Sequence, residues 1–572
     1  MYIDIVPNRN SPPAILLREC WRDGNKTRKK TIANISNWPA EKVDTLRRVL
    51  RGEKLIPAEQ AFIIEQSLPH GHVEAVLGTL RKIGLEKMIA SRRSRERDLV
   101  VAMIVEQILH HDSKLAGTRN WHSTSLAEEL GVEDADENDL YHALDWLLER
   151  QKRIENKFAK LYFAEGSYAF YDVTSSYYEG QKCPLARMGN SKDKKKGLPV
   201  IVYGTLAEQE GRPVSVDVYP GGTGDPKTLA DQVLKLRQRF GLNRIVLVGD
   251  RGMITQTQIE YLEKFPGLGW ISALRSASIR QLLEKGYLSI SLFDTQNIAE
   301  ICWPKYPNER FIACFNPLLA EERSRKRKEL LEATEAGLRK IKSEVNRRTK
   351  QPLKESEIGI KVGKVINRFK VAKHFDLTIE DNKLEWMRLE GKIQQEEELD
   401  GIYIIRTSEP EESISAGDTV RQYKNLSRIE HIYRTVKGLD ILIRPIRHRT
   451  EEHVRAHIFL CMLAYNVEWH MRKALAPLLF EDEEVDSLRK TRDPVAKAEP
   501  SESAKRKKAT RVTVDGFPVH SFRTLLLALG KRCKNRCRLK AGGPETTFVR
   551  LTEVDALQRR AFELLDSMHP VG

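Results

Sequence analysis

Cysteine is scarce in this 572-residue chain, and long uncharged apolar runs are missing altogether. The seven cysteines, Cys20, Cys183, Cys302, Cys314, Cys461, Cys533 and Cys537, are scattered and odd in number, which argues against a disulfide framework and for a reducing compartment. No stretch approaches the roughly 18 apolar residues that cross a bilayer. The longest candidate, from Ile458 to Val467, is too short, so no membrane partner is expected. The opening Met-Tyr-Ile-Asp-Ile-Val lacks the basic flank and apolar run of a secretory leader, and a cytoplasmic location follows as the default. With 40% hydrophobic and 31% charged residues, the chain is neither collagen-like nor wholly disordered.

What the chain has in excess is positive charge. Lys and Arg number 96 against 80 Asp and Glu, a net charge of +16. Such a surface attracts polyanions through counterion release, and nucleic acid is the leading partner class. The length, at roughly 150 residues per domain, predicts three or four domains.

Residues 1–70 mix short extended runs with basic turns and read as a small strand-rich unit. Residues 71–165 carry apolar positions at three and four spacing, as in Leu99 to Leu109 and Leu140 to Leu148, and read as a helical DNA-binding region. Within it, Ser125 to Val132 followed by Asp139 to Leu144 reads as two helices joined by a short turn, a packed helical pair first and a helix-turn-helix as the alternative. After Gly166 strands dominate: Ser167 to Thr174, Pro199 to Leu206 and Pro213 to Tyr219 read as an antiparallel meander. A helix over Thr228 to Phe240 and the runs Arg244 to Gly249 and Gly269 to Leu274 then complete an α/β pattern over 166–274. Residues 275–400 read as an insertion containing a highly charged helix, Ala320 to Lys350. Residues 401–480 return with the strand Leu399 to Thr407 and helices. Residues 481–511 have linker composition, and 512–572 form a last, basic unit.

Three acidic residues stand out. Asp172 lies inside Ala169-Phe170-Tyr171-Asp172-Val173-Thr174, an apolar setting in which a carboxylate is costly unless it is paired or bound to a cation. Asp250 closes Ile245-Val246-Leu247-Val248-Gly249-Asp250, at the carboxyl end of a strand, where open α/β sheets place functional groups. Glu430 lies in a helix with Arg434 and Lys437 on its face. Taken singly, a strand-end Asp usually caps a turn and a Glu–Arg helix pair is usually solvated. Together, oxygen ligands of this kind suit Mg²⁺ or Mn²⁺, and two such ions suit in-line phosphoryl transfer.

In this ordered set the chain resembles the DDE transposases of bacterial insertion sequences. The match is to the group whose third acidic residue carries a Tyr, two residues, Arg, three residues, Glu, six residues, Lys signature. Tyr423, Glu430 and Lys437 fall at those spacings, and Leu426 occupies the Arg position, so one phosphate or hairpin contact has to come from elsewhere, with Arg428 nearby. Asp172 in Tyr-Asp-Val-Thr and Asp250 in Gly-Asp-Arg-Gly match the first two acids. Gly189 to Lys194, Gly222 to Asp225 and Arg444 to Arg449 are similar to family segments too, and the long gap between Asp250 and Glu430 matches the family's insertion. The resemblance implies a ribonuclease H-like mixed sheet flanked by helices and interrupted by an insertion, with a largely helical N-terminal region. It implies Mg²⁺ or Mn²⁺, two ions, held by Asp172, Asp250 and Glu430. It implies cleavage at the inverted-repeat ends of a mobile element and strand transfer to target DNA, Tyr423, Arg428, Arg434 and Lys437 near the cleaved end, and a homodimer on double-stranded DNA. A catalytically silent DNA-binding regulator and a nuclease without strand transfer are the alternatives.

Elsewhere, the run Lys531, Arg532, Lys534, Arg536 and Arg538 is read as a DNA backbone contact, a solubilising stretch being the alternative. Cys533 and Cys537 lack a second ligand pair, so no zinc site is expected there. His453 and His457 lack the order of a metalloprotease helix, and Ser175 and Ser176 lack a nucleophile elbow. Trp270 and Trp303 suit either a stack on a flipped base or burial in a strand.

Overall fold

The computed structural model describes residues 1–9, 11–53, 61–193, 195, 197–293, 296–438, 440–540 and 546–570. Lys194, named with the segment that starts at Gly189, lies outside them. The chain divides into two compact units, one of Met1–Leu68 with Cys533–Thr552, the other of Pro69–Arg532 with Glu553–Gly572. The first unit holds two three-stranded sheets. Tyr2–Val6, Ala14–Asp23 and Lys26–Asn34 form one; Phe62–Pro69, Cys533–Leu539 and Thr547–Leu551 form the other. Residues from the end of the chain therefore complete a sheet with residues near its start.

The second unit is built on an eight-stranded sheet. Its strands are β1 (Tyr168–Tyr177), β2 (Val200–Ala207), β3 (Pro213–Pro220), β4 (Ile245–Gly249), β5 (Leu268–Ala273), β6 (Ile298–Ile301), β7 (Arg310–Phe315) and β8 (Ile402–Thr407). The spatial order is β6-β7-β8-β5-β4-β1-β2-β3. β1, β2 and β3 form the antiparallel meander read from the sequence, while β1–β4 and β4–β5 are parallel. The 3-2-1-4-5 order with these directions is the ribonuclease H-like arrangement. β4 is buried on both faces, which is why Ile245-Val246-Leu247-Val248 reads as an unbroken apolar run instead of an alternating one.

The excursion after β5 is not wholly separate from the sheet. β6 and β7 pair antiparallel to each other, and β7 pairs with β8, so the sheet grows beyond its parallel core. Only then does the chain leave, through α4 (Pro317–Arg347), α5 (Glu355–Phe369) and the hairpin Phe375–Glu380 with Lys383–Arg388, which bury a small core of their own around Leu338, Val345, Ile358 and Val362.

Three helices from the first part of this unit, α1 (Gly71–Lys82), α2 (Arg95–Leu109) and α3 (Glu137–Tyr162), pack with α8 (Glu451–Leu475), and α8 also packs on β3. α3 opens on a capping box in which the Asp136 side chain accepts from the Asp139 amide and Asp139 reaches back to the Asp136 amide. α8 is buried nearly all round from Val454 to Met471, with an apolar stretch over Ile458 to Tyr465 at its centre, as a helix enclosed in a core must be. Its length and burial account for Ile458 to Val467, and no described helix is long and apolar enough to cross a membrane. The two segments read as a helical pair bury Leu126, Leu130, Leu140 and Leu144 in this core. α6 (Ala416–Lys424) and α7 (Leu426–Lys437) follow β8, and α7 packs on β1.

Candidate active site

Asp172 and Asp250 sit side by side. The last paired residues of the parallel strands β1 and β4 are Tyr171 and Gly249, and each aspartate is the next residue, on strands about 4.8 Å apart. Each carboxylate takes one backbone amide, Asp172 Oδ1 from Val173 N at 2.8 Å and Asp250 Oδ1 from Arg251 N at 2.6 Å. Among the described residues, neither these aspartates nor Glu430 has an ion-pair partner. Burial pushes the Asp172 carboxyl up to about 6, Lys192 pulling against it and the negative charges of Asp250 and Asp225 adding to it. A half-buried carboxylate beside a second one, both short of cations, is a donor set that fits a divalent ion.

Glu430 enters from α7. Ile429, Ile432, Tyr433 and Val436 form the buried face of that helix, leaving Glu430 and Arg434 exposed. Tyr433 is the anchor: its hydroxyl accepts from Thr205 N at 3.1 Å and donates to the Asp172 carbonyl at 2.5 Å, entering between β1 and β2 where Asp172 and Thr205 stand opposite each other. Glu430 is three residues before Tyr433, one helical turn away. Tyr423, on α6, is raised above the ordinary phenol range by burial and by the charges of both Asp250 and Glu430. Among the described residues, no group of three His, Cys, Asp or Glu side chains is gathered as a metal cage.

Lys437, expected near DNA, is turned inward. Its ammonium donates to Thr174 Oγ1 at 2.7 Å, to the Ser175 carbonyl, and to Asp193 Oδ1 at 3.1 Å, and burial lowers it to about 8. The Asp193 carboxylate is only 4% exposed and also takes Arg444 at 3.0 Å and the Tyr177 amide. This buried pair of cations on one acid ties the end of α7 to β1. On the other side of Asp172, Lys192 donates to the Val173 carbonyl and pairs with Asp225 at 3.2 Å. Tyr433, Asp193 and Lys192 are absent from the residues singled out by sequence. Asp193 and Lys192 lie in the flagged Gly189 segment, while nothing marks Tyr433 apart from its place on the apolar face of the helix.

Arg428 pairs with Asp486 at 2.6 Å. Arg434 has no ion-pair partner among the described residues. The basic run near the C-terminus is divided between the units: Arg532 pairs with Glu74 and accepts the His70 and Gly71 amides on its carbonyl, with Lys531 beside it. Lys534, Arg536 and Arg538 lie on the strand Cys533–Leu539, with Arg538 2.5 Å from Glu65. Cys533 and Cys537 are not joined in a disulfide. His453 pairs with Asp145 at 3.2 Å and stacks on Tyr141. His457 is buried with Nε2 against the Ile443 carbonyl. Trp270 and Trp303 are both core residues, so neither is free to stack on a base.

Residues 170–467 match the family described as the transposase DDE domain. Among solved structures, one described as "Cryo-EM structure of piggyBac transposase synaptic complex with hairpin DNA" is similar over 70% of this chain and 72% of the other, with 10% identity and a TM-score of 0.33. No curated protein matches.

Proposed function

This chain belongs to the transposase DDE domain family, and from that premise we propose that it excises and inserts a bacterial insertion sequence by a cut-and-paste route, as a Tyr-Arg-Glu-Lys type enzyme whose Arg position is Leu426. Membership carries a DNA transposase function, with metal-dependent cleavage and strand transfer of DNA. The observation that carries the finer reading is the adjacent pair Asp172 and Asp250 at the ends of parallel strands, neither in an ion pair among the described residues, with the Glu430 helix fastened to the Asp172 carbonyl by Tyr433.

In this reading Asp172, Asp250 and Glu430 hold Mg²⁺ or Mn²⁺, two ions, which supply Lewis acidity for hydrolysis and transesterification at phosphorus. Tyr433 sets the distance of the Glu430 helix from β1. Lys437 and Arg444, both on Asp193, fix the far end of that helix and act as positioning residues. Tyr423 and the exposed Arg434 are placed to meet DNA phosphates, and the chain acts as a homodimer on double-stranded DNA in the cytoplasm. The amino-terminal helical region and the basic Lys531 to Lys540 stretch contribute further DNA contacts.

The test is nicking of supercoiled plasmid carrying the element ends. Asp172→Asn, Asp250→Asn and Glu430→Gln are expected to abolish nicking in Mg²⁺ or Mn²⁺ while leaving end binding intact. Wild-type nicking by any of the three sinks the assignment, and cleaved ends that never join target DNA reduce the enzyme to a nuclease.

A further inference from the structure

Past the end of the family match, the chain comes back against α6 and α7 as α9 (Val485–Thr491) and the turn that follows it, Arg492 to Ala498. Between this segment, the start of α4 and the loop joining α6 to α7 lies a cavity of about 360 Å³. Its walls carry Arg421, Lys424, Arg489, Arg492 and Lys497, against Glu322 and Asp493.

Among the described residues, neither Glu322 nor Asp493 is in an ion pair with these cations. Asp493 spends a carboxylate oxygen on the Val495 amide at 2.8 Å. Arg421 is paired with Asp418 at 2.8 Å, and the Lys424 ammonium is turned to the Val495 carbonyl at 3.0 Å. Arg489 gives one N–H to Asn425 Oδ1 at 3.1 Å. Neither Arg489 nor Arg492 has an acidic side chain within ion-pair distance among the described residues. The Nε groups of Arg421, Arg428 and Arg492 are buried and donate to no partner. Burial and the charges of Arg428 and Arg492 hold the Arg489 guanidinium below its usual range, with Asp486 pulling against them. Buried donors left empty and like charges crowded together are both unfavourable, and an anion with several acceptor oxygens relieves both at once.

The cations also continue toward the acidic site. Arg489 and Ser427 line the adjoining cavity, where Arg428 and Arg434 lie. Ser427 and Arg434 are three residues before and four residues after Glu430, on the same face of α7. A phosphodiester backbone fits this geometry, since successive phosphates offer the oxygens that planar guanidinium forks bind in pairs.

We propose that Arg489 and Arg492 form a phosphate site that holds the backbone of bound DNA alongside the Glu430 helix. The site rests on the transposase reading above and assigns a role to the segment beyond the catalytic region.

The test is the salt dependence of binding of the full chain to a labelled mixed-sequence duplex in EDTA. Arg489→Gln/Arg492→Gln is expected to make the plot of log affinity against log salt about 0.9 shallower for each phosphate that is no longer neutralised. Lys490→Ala, exposed on the same helix and outside the cavity, keeps the wild-type slope. Arg492→Gln alone, which removes no side-chain hydrogen bond among the described residues, moves the slope in the same direction and guards against a misfolded double variant. Inorganic phosphate titrated against melting temperature probes the site without DNA. A shallower slope with no phosphate response assigns the site to the DNA backbone, and a phosphate response without a slope change makes it a free-anion site and overturns the proposal. Equal slopes and equal phosphate responses in wild type and variants overturn it as well, leaving the transposase reading intact. A wild-type chain that binds no duplex defeats that reading instead.

Discussion

Burial and the charges of Asp250 and Asp225 set the Asp172 carboxyl against its ionised form. Its folded carboxyl titrates at about 6, against about 3.9 in an unfolded chain. The folded state therefore holds this proton more tightly than the unfolded state. The group favours folding fully below about pH 4, and that contribution is lost as pH rises through about 6. At neutral pH the ionised Asp172 is a cost that a bound divalent ion offsets. Asp172→Asn is accordingly expected to melt at a higher temperature than wild type in EDTA at about pH 8, the gap closing toward about pH 4. Mg²⁺ or Mn²⁺ should raise the wild-type melting temperature and leave the variant unmoved. A variant less stable than wild type at about pH 8 would show that the carboxylate is satisfied without metal. The sequence made this residue visible, because a carboxylate inside Phe-Tyr-Asp-Val is costly by composition alone. It could not assign Lys437, whose spacing from Glu430 suits either an outward phosphate contact or the inward pairing with Asp193 that the structure has.

At the scale of elements, β1 is held from both faces. Tyr433 enters beside Asp172 on one, and on the other the fully buried Tyr171 ring lies over Gly204 of β2. A Cβ at position 204 would run into the Tyr171 phenol, whose ring is fully buried. Gly204→Ala is expected to cost about 1–3 kcal/mol in a denaturant titration. An unchanged midpoint would mean that the strand shifts freely at Asp172. The meander, the β4 run and the position of Asp250 were all legible, since period-two and continuous apolar patterns are local signals. The joining of β6 and β7 to the sheet was not: they are strands of four and six residues embedded in a charged excursion. The pairing of β7 with β8 depends on a chain that returns only after the helices of the insertion.

Over the whole molecule, the net charge of +16 is spread across both units rather than confined to a tail. If six to ten phosphates are contacted, affinity for element-end duplex should fall by about 10³ to 10⁵ between about 50 and 200 mM salt, as measured by anisotropy. A salt-independent affinity would exclude a backbone-tracking surface. Light scattering of the complex with paired ends is expected to give two chains per assembly, and a single chain would remove the homodimer from the proposal.

The sequence by itself determined the polyanion preference, the order and strand setting of Asp172 and Asp250, and the helix that bears Glu430, because each of these is written in local composition and short-range periodicity. Only the tertiary structure decided which cations face outward. Lys437 found Asp193 and Arg532 found Glu74, whereas Arg489 and Arg492 were brought together facing a cavity, with no ion-pair partner among the described residues. The partner of a charge is fixed by which distant segments fold against it, and no local pattern along the chain carries that information.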